Sequence, residues 1–459
     1  MYTQLCSAVL FPIHERLKGH RSVALRRELE RTQWLEPLQI ERLQTAALRH
    51  FLARAGRFVP YYRDLYARCK FRPDKVSSLD DLSVLPFLTK ELIRENETLL
   101  KSERAKNLIR SNTGGSSGEP LVFYVGAERV SHDVAAKWRA TRWWDVDIGD
   151  REVVLWGSPI ELGAQDRVRA IRDRVLRSHL LPAFEMSTDR MDEYLEFIRR
   201  FRPRMIFGYA SALARLASHS RARGVRLDNV GVRVVFATGE TLYPDQREII
   251  EAVFGAPVAN GYGSRDAGFI AHQCSAGSLH QSAEHIVVEL VDEHGNRVRA
   301  GETGEVVVTH LASGDFPFIR YRTGDMAALD TARCACGRGL PVWRTVYGRA
   351  TDFIRTRSGN AMHALALIYE VRDRPGVRAF KFVQSEDLSI ELQLDAGPEL
   401  TEDLEREILA KLTRRLGADT PVKIVRVDAI LPERSGKHRY VVSRASANST
   451  LANRAPASA

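Results

Sequence analysis

Long apolar runs are missing from this sequence. None approaches the roughly 18 to 20 residues that a helix needs to cross a bilayer. The apolar run at residues 5–13 is short, contains Pro12 and has no basic leader before it, so it does not fit a signal peptide. These absences predict no membrane insertion and a cytoplasmic location.

Cysteine is also scarce, with five residues in 459 and no secretory context, so a disulfide framework is not expected. The charge is not balanced, at +10, but the excess arginine is scattered and alternates with apolar or acidic residues. That pattern is typical of solvated helix faces, so nucleic acid is not expected as a partner. A positive surface would still attract an anionic substrate.

The hydrophobic fraction of 44% and charged fraction of 27% exclude a disordered or collagen-like chain, and the length favours two or three domains. Residues 1–110 are predicted to be mainly helical. Residues 111–348 alternate short apolar strands with helices, which is typical of an α/β fold. A smaller α+β unit follows at 349–445, and the small polar residues at 446–459 predict a disordered tail. The strands are expected at 152–156, 232–238, 286–291, 304–310, 379–384, 389–394 and 423–427, and a helix at 402–416.

The sharpest local motif is a loop of glycine, serine and threonine at residues 111–120, which runs directly into an apolar strand. Glycines let the backbone approach a polyphosphate, and hydroxyl groups donate to phosphate oxygens. No Gly-Lys-Ser/Thr follows, so this is not a Walker loop. The alternative is a flexible linker. The candidate phosphate ligands are Thr113, Gly114, Gly115, Ser116, Ser117 and Gly118.

Two further loops follow apolar strands about twenty residues apart. The first carries Gly239 and Glu240. In the second, Tyr262 is expected against a nucleotide base and Asp266 toward a magnesium ion on the phosphates. Either loop alone also fits an ordinary turn. The second loop adds Asn260, Gly261, Gly263 and Ser264 as candidate nucleotide ligands.

Four charged residues in the last third of the chain complete the candidate nucleotide site. Asp325 follows a glycine, and its acceptor-only carboxylate suits the two hydroxyls of a ribose. Arg349 and Asp352 lie at the boundary between the large and small units. Lys437 stands on a glycine-containing loop near the end of the chain, where a lone lysine also fits a role in solubility.

Three aromatic residues near strand ends, Trp156, Tyr209 and Phe236, are candidate walls for a substrate pocket. Aromatic residues at such positions are more often plain core.

A cysteine and histidine set offers a metal site. Cys274, His280, Cys334 and Cys336 supply three thiolates and an imidazole, the donors of a closed tetrahedral zinc site. Such a site is structural, because four protein ligands leave no position for a substrate. The alternative is that these are ordinary loop cysteines and a histidine bonded to a carbonyl.

Together, the order and spacing of these motifs resemble those of the adenylate-forming superfamily over nearly the whole chain. Within it the sequence is most similar to the phenylacetate-CoA ligase family and its CapK-type branch. The residues that carry this resemblance are the N-terminal segments 59–63, 85–90 and 93–96, the Ser/Arg form of the tyrosine motif at 262–266, and the segments 336–338 and 347–349. Members of the family also carry a similar cysteine and histidine set.

The resemblance implies the fold and the roles. The large domain would hold ATP and Mg²⁺, and the small C-terminal domain would be mobile about a hinge at Asp352. Lys437 would bridge the substrate carboxylate and the α-phosphate, with Arg349 and Asp266 as further catalytic residues. Glycines and hydroxyls at 113–118 would cradle the phosphates, and Gly239, Glu240 and Tyr262 would line the adenine. Asp325 would hold the ribose, assisted by Arg349.

Two departures from the family pattern stand out. Arg265 and Asp266 replace the usual Thr-Glu pair, so a phosphate-contacting hydroxyl would have to come from Ser264 or be replaced by the Arg265 guanidinium. Residues 355–366 lack the usual glycine-rich signature, which leaves the thiol channel undefined.

The implied function is activation of an aryl or acyl carboxylic acid as acyl-AMP, followed by transfer to a thiol acceptor, with coenzyme A expected. Two alternatives stay open: an amine or hydroxyl acceptor, and a catalytically silent scaffold. A homodimer is also an open alternative.

Overall fold

The computed structural model describes residues 1–113, 121–157, 167–183, 186–349, 353–358, 361–372, 374–431 and 440–444. The Gly114 to Gly118 part of the glycine loop, Asp352, Lys437 and the predicted tail therefore lie outside the described residues. The chain divides into two compact units. The first comprises the described residues of Met1–Thr323 and Ala327–Val346, and the second those of Gly324–Met326, Tyr347–Glu433 and Lys437–Ala459.

The first unit begins with helices. The longest starts at Pro37, whose ring suits the first helical position, and a capping box joins Glu36 to Gln39. Its buried face carries Leu48, Phe51 and Leu52, spaced three or four residues apart or adjacent as on one face of a helix, in keeping with the predicted helical character of residues 1–110. The helices are α1 Tyr2–Leu5, α2 Phe11–Leu17, α3 Ser22–Thr32, α4 Pro37–Phe58, α5 Pro60–Cys69 and α6 Lys90–Glu95, with a π-helical turn at Cys6–Leu10 between α1 and α2 and 3₁₀ turns at Pro73–Lys75 and Leu79–Val84.

A mixed sheet of eleven strands forms the centre of the fold, and a separate two-stranded sheet pairs β1 with β2. The strands before residue 350 are β1 Ile109–Asn112, β2 Val122–Val125, β3 Glu152–Trp156, β4 Ser178–Pro182, β5 Met205–Gly208, β6 Val234–Thr238, β7 Val258–Ser264, β8 Gly268–Gln273, β9 Leu279–Gln281, β10 Ile286–Val291, β11 Thr303–His310, β12 Tyr321–Leu329 and β13 Val342–Arg349. The order across the large sheet is β10-β11-β12-β13-β9-β8-β7-β6-β5-β3-β4.

Strands β4, β3, β5, β6 and β7 pair in parallel, so their carboxyl ends meet at one edge of the sheet. Parallel pairing requires crossover connections, and helices supply most of them. The helices of this region are α7 Ala127–Arg142, α8 Arg167–Val175, α9 Thr188–Phe201, α10 Ala210–Ala222 and α11 Pro244–Phe254. The predicted strands at 152–156 and 286–291 are confirmed, and those at 232–238 and 304–310 differ by two residues or fewer at one end.

The second unit is a small α+β structure. Helices α12 Leu365–Val371 and α13 Glu402–Leu416 accompany strands β14 Phe353–Arg355, β15 Ala361–His363, β16 Val377–Gln384, β17 Ile390–Ala396, β18 Val422–Arg426 and β19 Val441–Ser443. The last four form a sheet in the order β18-β17-β16-β19. The predicted helix at 402–416 is confirmed, and Thr401 caps it by accepting a hydrogen bond from the amide of Leu404. The large α/β part and the small α+β part agree with the predicted fold class.

Candidate functional site

Three of the predicted site residues meet at the carboxyl edge of the parallel strands. Trp156 ends β3, Tyr209 follows β5 and Gly239 follows β6. The rings of Trp156 and Tyr209 stack, with centroids 4.0 Å apart. Gly239 has φ +78°, and a Cβ there would lie 3.1 Å from Tyr209 Cε1 and 3.2 Å from Trp156 Cη2. A side chain at position 239 would therefore press into the aromatic pair as well as strain the backbone.

Glu240 is held beside this aromatic pair by the helix that follows β5. Its Oε2 accepts a hydrogen bond of 2.9 Å from the amide of Ser211, in the first turn of α10. A carboxylate at a helix N-terminus interacts favourably with the exposed amides and the helix dipole. Phe236 differs from the other two predicted pocket residues, because it is 2% exposed and packs in a core cluster with Val234 and Phe207.

The second strand-end loop centres on Asp266, which is 6% exposed. Ser264 Oγ donates to Asp266 Oδ1 over 2.5 Å, and Tyr321 Oη donates to Oδ2 over 2.5 Å. Burial tends to raise the pKa of Asp266, but these hydrogen bonds and the charge of Lys90 outweigh it, so the pKa lies below its usual value. Both oxygens of this carboxylate thus accept hydrogen bonds from the protein.

Arg129 fixes the backbone of the same loop. It is 3% exposed, and its Nη1 and Nη2 donate to the carbonyl oxygens of Asp266 and Arg265 over 3.3 and 3.4 Å. On its other side, Nε donates to Asp133 Oδ2 over 2.9 Å. Burial tends to raise the pKa of Asp133, but the charge of Arg129 and the contacts of His132 and His310 together outweigh it, so the pKa lies well below its usual value. The loop is therefore tied to α7 by the two hydrogen bonds of Arg129, and the ion pair with Asp133 within α7 holds the Arg129 side chain in place.

The described part of the glycine loop lies next to this network. Thr113 pairs with Leu121 through its amide, which donates over 3.0 Å, and through its hydroxyl, which accepts from the Leu121 amide over 2.9 Å. The two ends of the loop are thus joined. Arg265 Nη1 also donates to the Asn112 carbonyl oxygen over 3.4 Å. Thr113 and the loop of Asp266 therefore lie close together in the first unit.

The rest of the tyrosine motif lies in β7, between β6 and β8. The Asn260 amide donates to Gln273 Oε1 over 2.8 Å, and the Gly261 carbonyl accepts from Thr238 Oγ1 over 2.7 Å. The ring of Tyr262 lies 5.2 Å from that of Trp343. At Gly263 an added Cβ would lie 2.2 Å from the Gly268 carbonyl oxygen, so the close pairing of β7 with β8 requires glycine there.

In the second unit, Asp325 and Arg349 face each other. Arg349 Nε lies 3.6 Å from Asp325 Oδ1, a separation that is an ion pair without a hydrogen bond. The two residues predicted to contact the ribose are therefore neighbours.

The predicted zinc ligands come together in the first unit. The Sγ atoms of Cys274 and Cys334 are 3.6 Å apart, and Cys336 Sγ lies 3.2 Å from His280 Nε2. All four ligand atoms lie within 4.8 Å of one another. Two thiolates bound at about 2.3 Å to a tetrahedral ion would be about 3.8 Å apart, so the spacing fits zinc.

The environment of His280 also suits a metal ligand. Its Nδ1 lies 3.4 Å from the Leu340 carbonyl oxygen, to which a protonated Nδ1 donates. This leaves the Nε2 lone pair directed toward Cys336, which is the arrangement of metal-bound histidines. Burial lowers the pKa of His280 to about 4, so the ring is neutral at pH 7.

A second histidine group, beside Asp133, is not arranged as a metal site. His132, Asp133 and His310 place ligand atoms within 4.8 Å of one another. However, His310 Nδ1 accepts a hydrogen bond of 3.2 Å from the Ala312 amide. The ring proton of neutral His310 is therefore on Nε2, which faces Asp133 Oδ1 at 3.8 Å. This nitrogen is a donor toward the carboxylate, and the group belongs to the Arg129 network.

Sequence reasoning gave no role to Tyr321, Lys90 or Arg129. Lys90 stands within the segment 85–90, which carried the family resemblance, and Tyr321 stands four residues before the predicted ribose ligand Asp325. Arg129 stands in a helix with two other arginines, Arg139 and Arg142, and no sequence spacing relates it to Asp266, 137 residues away.

Comparisons with known proteins give matches over both units. The model of the AMP-binding enzyme family matches residues 176–312, and that of the CapK C-terminal domain matches residues 354–444. The chain is 23% identical to protein CapK of Staphylococcus aureus over 394 residues, which cover 83% of this chain and 84% of CapK. It is 24% identical to phenylacetate-coenzyme A ligase of Escherichia coli K12 over 422 residues, covering 87% of this chain and 93% of that ligase.

Solved structures show the same fold. The structure of 2-hydroxyisobutyryl-CoA ligase in the postadenylation state, in complex with R3-HIB-AMP, superposes with a TM-score of 0.73 at 19% identity, covering 90% of this chain and 91% of that one. ATP-bound MatB from Rhodopseudomonas palustris gives a TM-score of 0.54 at 18% identity, with 72% and 66% coverage. Within the described part of the chain, no helix has both the length and the apolar character needed to cross a membrane.

Proposed function

We propose a function from one premise: this chain belongs to the adenylate-forming superfamily, within its CapK and phenylacetate-coenzyme A ligase branch. The protein is an AMP-forming acid-thiol ligase. It activates a carboxylic acid with ATP and transfers the acyl group to coenzyme A. The observation that carries this proposal is the meeting of Trp156, Tyr209 and Gly239 at the carboxyl edge of the parallel strands, where α/β sheets bind ligands.

The first step forms the acyl adenylate. A carboxylate oxygen of the acid bonds to the α-phosphorus of ATP while the bond from that phosphorus to the bridging oxygen breaks, and pyrophosphate leaves. The reaction brings anions together, so it depends on positioned positive charge. Lys437 supplies part of that charge between the carboxylate and the α-phosphate, and Mg²⁺ supplies more on the phosphates.

The second step transfers the acyl group. The thiol of coenzyme A loses its proton, its sulfur bonds to the acyl carbon, and AMP leaves with the oxygen that joined it to the acyl group. Asp352 is the hinge about which the second unit moves between the two steps. Such motion would let one site serve both half-reactions.

The nucleotide is held by several groups. Thr113 and the loop after it contact the phosphates. Gly239, Glu240 and Tyr262 lie beside the adenine. Asp325, assisted by Arg349, accepts the ribose hydroxyls. Asn260, Gly261, Gly263 and Ser264 complete the binding surface.

The magnesium role of Asp266 is compatible with its hydrogen bonds. Each of its oxygens accepts a hydrogen bond, from Ser264 or from Tyr321. A carboxylate oxygen has two lone-pair positions, so each can keep its hydrogen bond and still face an ion or a metal-bound water. The shortened side chain, relative to the family's usual glutamate, favours contact through water.

The acid is expected to bind against the stacked rings of Trp156 and Tyr209. A flat, largely apolar wall suits an aryl group or a short acyl chain, because it offers area without hydrogen-bond partners. Phe236 supports this wall from the core, since its ring lies 6.4 Å from that of Phe207, which in turn lies 5.7 Å from Trp156.

The Cys274, His280, Cys334 and Cys336 group holds a structural zinc ion. The sulfur spacing and the Leu340 contact of His280 support this assignment. A zinc ion there would join the β9 region to the loop before β13. It has no substrate position and takes no part in the chemistry.

The alternative acceptor is an amine or hydroxyl group. Mass spectrometry of products would decide. The protein is incubated with ATP, Mg²⁺ and a panel of aryl, fatty and amino acids, with and without coenzyme A. An acyl-CoA product supports the thiol acceptor. An acyl-AMP that accumulates unchanged when coenzyme A is added would favour the alternative.

A further inference from the structure

The N-terminal helical segment carries a row of exposed apolar side chains. Leu5, Val9, Ile13 and Leu17 are 47%, 44%, 52% and 85% exposed. They stand four residues apart along α1, the π turn Cys6–Leu10 and α2. Residues four apart in a helix are neighbours on one face. The row is therefore a continuous ridge about three turns long.

The π turn reduces the drift of this ridge around the helix axis. In an α-helix each step of four residues advances about 400°, so the row would drift by about 40° per step around the axis. A π turn bonds residue i to i+5 and winds more loosely, which reverses part of this drift. The turn spans Cys6–Leu10 and so covers the first step of the row, from Leu5 to Val9.

The opposite side of the segment is already used. Cys6, Phe11 and Glu15 are buried, at 0%, 6% and 4% exposure. Cys6 packs against Gly149, and the Ser22 hydroxyl donates to Glu15. The segment is thus anchored to the first unit by one face, and the apolar ridge is its outer face.

Helix α8 extends the apolar surface. Tyr2 Oη donates to the Val175 carbonyl oxygen over 2.7 Å, and the Arg177 guanidinium lies 3.8 Å from the Tyr2 ring centroid. The two helices are therefore adjacent. On α8, Ile171 and Val175 stand four residues apart and are 64% and 38% exposed.

The charges around this surface have one sign. Residues 1–27 contain five lysines and arginines and a single acidic residue, Glu15, which is buried. On α8, Asp173 is paired with Arg172, while Arg174 is exposed. The exposed basic residues nearest the ridge are Arg16 and Lys18.

We infer that this surface, formed by Leu5, Val9, Ile13, Leu17 and Ile171, binds the surface of a membrane that contains anionic lipids. An amphipathic helix of this kind lies in the interface plane, with its apolar row among the acyl chains and its basic residues at the headgroups. Basic residues near an anionic leaflet each add attraction, which salt weakens.

A second copy of the chain fits this surface less well. A two-fold interface places the same patch of both copies face to face. Such an interface would gather Arg16 and Lys18 of both copies in one patch, with no exposed acidic residue of the segment to pair with them. Like charges brought together in this way oppose association.

Vesicle sedimentation tests the inference with the full chain. Vesicles of phosphatidylcholine alone are compared with vesicles in which a third of the lipid is phosphatidylserine. The wild type is expected to bind the anionic vesicles, to bind neutral ones at least tenfold more weakly, and to dissociate as salt is raised. Absence of binding, or equal binding to both vesicles, would overturn the inference.

Two variants separate the apolar and charged contributions. The Ile13→Asp, Leu17→Asp double variant is expected to lower partitioning by about tenfold or more, because it removes half of the row. Arg16→Glu should lower it by about fivefold or more with the row intact. Leu38→Asp, at a residue 57% exposed in α4, is the matched control and should bind like the wild type.

Sedimentation velocity tests whether a second copy of the chain occupies this surface instead. If the wild type is a dimer that the Ile13→Asp, Leu17→Asp variant converts to a monomer without any change in vesicle binding, the surface belongs to a second copy and the inference is wrong. Circular dichroism checks that the variants fold, and their activity should be unchanged, because no residue of this surface touches the candidate site.

Discussion

Replacing Tyr321 by phenylalanine is a sharp probe of the loop that carries Asp266. The change removes only the hydroxyl that donates to Asp266 Oδ2 over 2.5 Å. The ring is buried and stacks on Phe318, with centroids 4.9 Å apart, so phenylalanine keeps the packing. A hydrogen bond to a charged group contributes about 1.5–3 kcal/mol, and the variant should lose about that much stability at pH 7.

The loss of stability in Tyr321→Phe should be larger at neutral pH than at acid pH. The pKa of Asp266 in the folded protein is below its usual value, so its contribution to stability is full above pH 4 and is lost as the pH falls through the folded pKa. Because one pKa unit is about 1.4 kcal/mol, the variant should raise the folded pKa of Asp266 by about one to two units. The difference in unfolding free energy between wild type and variant should therefore be largest at pH 7 and shrink below pH 4.

Urea unfolding at pH 7 and at the lowest pH where both proteins fold measures this difference, and ATP-dependent pyrophosphate release measures the effect on the site. Tyr66→Phe is the matched control, because the buried Tyr66 hydroxyl has no hydrogen-bond partner among the described residues. A Tyr321→Phe protein as stable and as active as Tyr66→Phe, or a stability difference that does not change with pH, would refute the reasoning.

Three other perturbations test neighbouring parts of the account. Arg129→Met breaks a buried ion pair and removes the hydrogen bonds that hold the backbone of the Asp266 loop. Because misplaced catalytic groups slow a reaction, pyrophosphate release should fall by roughly tenfold or more. An unchanged rate of release would exclude a positioning role for Arg129. Cys336→Ser should lower the zinc content, measured by elemental analysis, from one ion per chain to well below one. The control Cys69→Ser should keep its zinc. Equal zinc content in the two variants would contradict the site. Glu284→Gln leaves the buried Arg139 guanidinium without the carboxylate that lies 2.6 Å from it. The free energy of unfolding, measured with urea, should fall by about 3–5 kcal/mol. A fall of less than about 1 kcal/mol would contradict this prediction.

The sequence was most informative where a local pattern decides the structure. Short apolar runs predicted β3 and β10 with correct ends, and the helix predicted at 402–416 is α13. The same holds for Cys274 and Cys334, whose residue types suggested a common site and whose sulfur atoms lie 3.6 Å apart.

Contacts between distant segments could not be predicted from the sequence. Tyr321 reaches Asp266 across 55 residues, and only the strand order brings them together. The position of Phe236 could not be predicted either. Side chains alternate between the two faces of the sheet along β6, but the sequence does not show which face the ligand would contact. Trp156 and Tyr209 stack, while Phe236 points into a core cluster.

The most direct test of the central claim is acid-dependent pyrophosphate release by wild type beside Lys437→Ala, with ATP, Mg²⁺ and the acid panel. Lys423→Ala is the control, because Lys423 is an exposed lysine of the same unit, paired with Glu391. The account predicts release that requires a particular acid, falls by orders of magnitude in Lys437→Ala and is unchanged in Lys423→Ala. Release that is equal in all three proteins, or that needs no acid, would contradict it.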